Sequence, residues 1–197
     1  MRSDYKYIYE PDFLSQDLHE LMLDPENQRA DKPGAIITES GQIWPVSDNL
    51  IKNYCSDQSV LHSFLPLPFV QLLKEMRVVL IEQGMTDPKV RHLTTMINPE
   101  EAKPGELSHG WHKDYNVEKV ITDPMKLWIT FFTLTPNAVN SKISMSPTAD
   151  GPSQWGIGTE ATLHSNTFLG HNFNIGHHYK ESTDDELNMI YIRWYDE

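Results

Sequence analysis

The sequence is poor in cysteine, in basic residues and in long apolar runs, and each shortage removes a class of function. Cys55 is the only cysteine among 197 residues, so no intrachain disulfide forms and a disulfide-stapled scaffold is excluded. Lysine and arginine total 16 against 28 aspartates and glutamates, for a formal net charge of −12 at pH 7. Such a surface repels phosphate backbones and anionic headgroups, so a broad nucleic-acid-binding face is not expected. No apolar run approaches the roughly 20 residues of a membrane span. The opening MRSDYKYIYEPDF lacks the apolar stretch of a signal peptide. The expectation is a soluble, cytoplasmic protein with no nucleic-acid partner and no membrane partner.

What is present reads as an ordinary globular chain, 39% hydrophobic and 22% charged, of a length that suits one domain. Two helices are predicted in the first half. One follows Ser15, which caps QDLHELML, with Leu14, Leu18, Leu21 and Leu23 as a rough apolar stripe. The other runs from about Pro68 to Gln83, with Pro68 in its first turn and Gly84 at its end. Residues 24–60 carry turn formers and little periodicity. After Asp87-Pro88 the texture turns to short β-rich runs: Val90–Ile97, Leu127–Leu134, Lys142–Met145, Ala161–Leu169, Asn172–Ile175 and Leu187–Tyr195. Turn-rich separators such as NPEEAKPGE and SPTADGPS divide them, which suggests an antiparallel sandwich or barrel. Leu127–Leu134 is apolar on both faces, as expected of a strand held between two layers.

Six of the nine histidines fall at or after position 109. The informative pattern is Gly110-Trp111-His112-Lys113-Asp114. Residues two apart in an extended segment point the same way, so His112 and Asp114 can both reach one metal ion. With a third ligand from another strand they would form a facial triad that leaves coordination positions open, the arrangement suited to oxygen-activating iron(II). Alone the pair is weak, since chance gives roughly 0.6 such pairs in a chain of this composition. A second cluster, GHNFNIGHH at residues 170–178, supplies His171, His177 and His178. Arg193 then stands in the apolar run MIYIRWY. A guanidinium in such a strand needs an anionic partner, which is a structural carboxylate elsewhere in the chain or the carboxylate of a ligand.

In this order the residues resemble the iron(II)/2-oxoglutarate-dependent dioxygenase superfamily, whose pattern is His-x-Asp, a distal His, and an Arg on the last core strand. KPGELSHGWHKDYN and the tract from His177 to Thr183 are similar to its phytanoyl-CoA dioxygenase-like branch. The resemblance covers residues 90–195 best. It implies a mostly β protein with flanking helices and a double-stranded β-helix (jelly-roll) core. Residues 1–88 would form a helical and irregular support region, and residues 89–197 the catalytic core. It implies Fe(II) on His112, Asp114 and His177, and 2-oxoglutarate held by Arg193 with Thr130 and Tyr191 as second contacts. O2 would be the oxidant, a small molecule would be hydroxylated, and succinate and CO2 released. Asp114 disfavours halogenation, because related halogenases lack the carboxylate ligand. His178 is the close alternative to His177, and His171 a poorer one because Arg193 would then lie farther downstream. Trp111 and Trp128 are pocket-lining or core residues, and Lys113 and Tyr115 would stand at the mouth of the site. Two other functions remain open: a cupin-like metal enzyme that does not use 2-oxoglutarate, and a non-catalytic jelly-roll binding module.

Overall fold

Local chemistry accounts for the helices. The computed structural model describes residues 6–24, 35–37, 43–45, 67–97, 109–112, 126–134, 141–146, 159–172, 176–180 and 188–196. Helix α1 spans Gln16–Leu23, with the Ser15 hydroxyl accepting from the Leu18 N–H at 3.4 Å and Asp17 in the first turn. Its core-facing stripe is buried Leu14 and Met22 with half-buried Leu18 between them rather than the expected set, because a 3.6-residue period brings positions 14, 18 and 22 to one face; Leu21 is exposed. Helix α2 spans Leu67–Glu82 and buries Phe69, Val70, Leu72, Leu73, Met76 and Leu80. It ends where the sequence predicts. Gly84 takes φ 104°, its N–H reaches the Ile81 carbonyl, and the Met85 N–H reaches Leu80, the paired bonds of a Schellman cap.

The strands are β1 (Tyr7–Glu10), β2 (Ala35–Ile37), β3 (Ile43–Pro45), β4 (Pro88–Ile97), β5 (His109–His112), β6 (Leu127–Thr133), β7 (Ser141–Ser146), β8 (Thr159–Leu163), β9 (Phe168–Asn172), β10 (Gly176–Lys180) and β11 (Asn188–Asp196). A five-stranded sheet has the order β1-β9-β6-β11-β4, a four-stranded sheet β5-β10-β7-β8, and β2 and β3 form a separate hairpin pair. Every described pairing is antiparallel. From β4 onward the chain passes back and forth between the two larger sheets.

Two expectations are corrected here. The run Ala161–Leu169 is not one strand. It is the end of β8 and the start of β9, broken at Asn166, whose φ of 58° is the left-handed region that asparagine tolerates. The Asn166 amide then bonds both the N–H and the carbonyl of Leu14, each at 2.9 Å, which fastens the entry to α1 onto this turn. The expected strand over Asn172–Ile175 does not start there: Asn172 closes β9, and residues 173–175 lie outside the described set. The N-terminal segment also contributes more than helix, since β1 extends the five-stranded sheet against β9.

Strand β6 is buried at every residue, and the reason is layering. Trp128 and Phe132 pack with Ile190, Ile192, Trp194 and the helix residues Met22, Leu72, Met76 and Leu80. Leu127, Ile129 and Phe131 pack instead with Ile143, Met145, Ala161 and Leu163 of the four-stranded sheet. Among the described residues the five-stranded sheet thus packs against the helices on one face and against the four-stranded sheet on the other. No described helix is long and apolar enough to cross a membrane.

Candidate active site

The candidate site residues that the structure describes lie on strands of the two larger sheets. Ile143 and Met145 of β7 are fully buried in the inter-sheet cluster and so mark the inward face of the four-stranded sheet. Directly opposed residues of an antiparallel pair share a face. His177 lies opposite Met145, and His178 lies opposite Ser144. Position 177 thus shares a row of the ladder with buried Met145, and position 178 shares one with Ser144. On the other side of β10, His177 lies opposite His112. Such pairs place their Cβ atoms about 5 Å apart. The register then slips before the Tyr179 and His109 pair, which leaves an extra residue in β5, a bulge beside His112. Trp111 lies in this strand. Asp114, Lys113 and Tyr115 lie outside the described residues.

On the five-stranded sheet the inward residues are Leu127, Ile129, Phe131, Leu169, Met189 and Tyr191, with Arg193 on the same parity of β11. Arg193 is opposite Ile129, and Ile129 is opposite His171, a fully buried histidine that shares this row. Tyr191 is buried, and its hydroxyl accepts a hydrogen bond from Arg193 Nε at 2.6 Å. The guanidinium carbon stands 5.3 Å from the Tyr191 ring centre, within cation–π range. The far side of that ring rests on Phe131, centroid to centroid 5.3 Å. Among the described residues no carboxylate forms an ion pair with Arg193. The guanidinium is partly buried, and with Nε engaged its terminal N–H groups are the ones available to an anion.

The sheets are stacked in a defined sense. The Tyr9 hydroxyl donates to the Thr162 carbonyl at 2.8 Å, joining the β1 edge of one sheet to the β8 edge of the other. Counting inward from that edge, β11 and β4 fall at the same end as β10 and β5. Strand β11, which carries Arg193, and strands β5 and β10, which carry His112 and His177, therefore lie toward the same edge of the stacked sheets. Near the opposite edge, burial first and the Tyr9 hydroxyl second push the Tyr7 phenol up to about 12, so Tyr7 stays neutral at physiological pH.

Thr130 is a correction. Its side chain is on the helix-facing side of β6, fully buried, where Oγ1 accepts from the Trp194 indole N–H at 2.9 Å and lies 3.4 Å from the Ile192 carbonyl. It does not reach the inter-sheet space. Trp128 is on the same side and is core. Phe131 is an inward residue that the motif did not bring out, and parity with Ile129 and Leu169 identifies it; His171, the poorer alternative for the distal ligand, is fully buried opposite Ile129 on the five-stranded sheet.

No protein-family model matches the sequence, and no curated protein matches it. The fold does have solved relatives. AviO1 from Streptomyces viridochromogenes Tue57 aligns with a TM-score of 0.54 at 13% identity, over 96% of this chain and 89% of that one. SnoN, a non-heme alpha-ketoglutarate-dependent epimerase from nogalamycin biosynthesis, aligns with a TM-score of 0.57 at 12% identity, over 96% and 78%. The viral collagen prolyl hydroxylase vCPH from Paramecium Bursaria Chlorella virus-1, solved as a 2OG complex, gives 0.50 at 11%, over 96% of each chain. At these identities the likeness is one of fold: the chain shares their antiparallel two-sheet architecture.

Proposed function

We propose that this chain is an iron(II)- and 2-oxoglutarate-dependent oxygenase built on a double-stranded β-helix core. The observation that supports the proposal is the register of β5 and β10, which sets position 112 opposite position 177, together with Arg193 and Tyr191 on the face of β11 that looks toward the second sheet. A non-catalytic binding module gives no reason for two histidines in register on one sheet and, on the other, an arginine that lacks a carboxylate partner among the described residues. A cupin-like metal enzyme would account for the histidines but not for the arginine. The alternation of the strands from β4 to β11 between two sheets supports the β-helix reading. The fold relatives support the class, since SnoN has been solved with Fe3+, alpha ketoglutarate and nogalamycin RO. The branch similar to phytanoyl-CoA dioxygenase rests on KPGELSHGWHKDYN, and the division into a support region over 1–88 and a core over 89–197 rests on the change in texture at Asp87-Pro88.

The donor set fits the ion. Two imidazoles in register and the carboxylate of Asp114, two residues after His112, are the ligand types of an iron(II) facial triad. Bound iron would supply O2 activation coupled to decarboxylation of the 2-oxo acid, giving succinate and CO2. The protein supplies the rest. Arg193 receives the carboxylate of 2-oxoglutarate remote from the metal through its terminal N–H groups, a charge-assisted bidentate contact. Tyr191 stands beside it in the same pocket. Ile129, Phe131, Met145 and Leu169 form an apolar wall that excludes water and strengthens that contact. The substrate is proposed to be a small molecule and the reaction a hydroxylation.

The test is anaerobic titration of the purified protein with iron(II) and 2-oxoglutarate. The expected result is a weak visible metal-to-ligand charge-transfer band that disappears in His112→Ala. Absence of the band in wild type, or its persistence in His112→Ala, would contradict the proposal. Mass spectrometry of a substrate turned over under 18O2 then reads the reaction type, with 18O in the product expected for hydroxylation.

A further inference from the structure

Arginine can grip a carboxylate in two ways: end-on through its two terminal nitrogens, or side-on through Nε and one terminal nitrogen. In this protein one way is already closed. The Tyr191 hydroxyl occupies Nε of Arg193 at 2.6 Å, and the Tyr191 ring lies 5.3 Å from the guanidinium carbon. Tyr191 itself has little freedom, being 5% exposed and packed on Phe131. Both residues belong to β11, two apart, so the strand sets their spacing.

We infer that Tyr191 is a positioning residue for the anion anchor: by holding Nε it fixes the guanidinium plane and commits Arg193 to end-on capture of a carboxylate. The inference rests on the reading of the inter-sheet space as a 2-oxoglutarate site, and it adds a reason for selectivity. An arginine fixed in one orientation has one reach, set by the length of the dicarboxylate between metal and guanidinium. An arginine released at Nε turns between its two forks and accepts acids of more than one length. Tyr191 then contributes to affinity without contact with the reacting atoms, through the freedom that Arg193 no longer has to lose on binding.

The test compares wild type with Tyr191→Phe, which keeps the ring against Phe131 and removes only the hydroxyl. The readouts are KM for 2-oxoglutarate, kcat at saturation from succinate release, and KM for 2-oxoadipate, one methylene longer. The expected result is a rise of about tenfold in KM for 2-oxoglutarate, kcat within twofold, and a smaller preference for 2-oxoglutarate over 2-oxoadipate. In an Arg193→Lys background, which has no Nε–H, the same substitution is expected to change KM by less than twofold. An unchanged KM in Tyr191→Phe overturns the inference, and so does an equal effect in both backgrounds, which would mean that Tyr191 acts on the co-substrate directly. Failure of wild type to bind 2-oxoglutarate at all is a separate result, and it overturns the reading beneath.

Discussion

The five-stranded sheet carries two unlike faces on the same strands. Toward the helices stand Trp128, Thr130, Phe132, Ile190, Ile192 and Trp194, with the Thr130 hydroxyl accepting from the Trp194 indole N–H. Toward the second sheet stand Ile129, Phe131, His171, Tyr191 and Arg193, apolar at one end and cationic at the other. The alternation of side chains along a strand separates the two faces by a single residue: Ile192 and Trp194 pack in the core, and Tyr191 and Arg193 face the second sheet. The helix-facing side is closed in the ordinary way of a core, with the Thr130 hydroxyl and the Trp194 indole paired inside it. The other side keeps a guanidinium held at Nε by Tyr191, which the proposed function uses as the anchor of a ligand carboxylate.

Substitutions on the two faces should therefore separate stability from binding. The largest effect is expected from Trp194→Ala, which removes a fully buried ring and strands the Thr130 hydroxyl. It should cost about 3–5 kcal/mol in urea denaturation. Next is Arg193→Ala. It should weaken 2-oxoglutarate binding about a hundredfold in anaerobic titration, a loss of roughly 2–3 kcal/mol, while shifting stability by under about 1 kcal/mol. A large stability loss with unchanged affinity would reverse the assignment of that face. Thr130→Val sharpens the boundary further. It leaves the Trp194 indole N–H unpaired and should cost about 1–2 kcal/mol of stability with no change in 2-oxoglutarate affinity. A change in affinity would return Thr130 to the site.

The smallest effect concerns the join between α1 and the sheet. His19 lies 3.3 Å from the Ser165 hydroxyl and edge-on to Phe132. Burial lowers its pKa below 6.5, against the opposing pull of Glu20 and Asp12. The unfolded chain thus takes up this proton first as the pH falls. The stabilisation is complete above pH 6.5 and declines as the pH drops below it. Replacement by His19→Gln should flatten the stability profile between pH 7 and pH 5. An unchanged profile would show that another group governs it.

These faces explain how much was legible in the sequence. The cap at Ser15, the Gly84 stop and the arginine in an apolar C-terminal run are local signals, and each is where it was expected. Thr130 was not legible, because LWITFFT is buried on both faces and so shows no polar–apolar alternation from which its side could be read. The choice between His177 and His178 is likewise a question of parity. Phe173 and Ile175 put position 177 on the apolar parity of the sequence, and the ladder adds a neighbour far away in sequence, Met145, opposite His177. The break between β8 and β9 hides inside a run with strand-like ends, and Ser165-Asn166 was its one signal. Strand β1 is short, and only its partner β9 makes it a strand.

The central claim is that His112 and His177, opposite each other across β5 and β10, hold the metal. The measurement that tests it most directly is anaerobic iron(II) titration in the presence of 2-oxoglutarate for wild type, His177→Ala and His178→Ala, followed by the charge-transfer band and by metal content after desalting. The account predicts one iron per chain and the band in wild type and in His178→Ala, with both lost in His177→Ala. Retention of iron and band in His177→Ala, with their loss in His178→Ala, would contradict it.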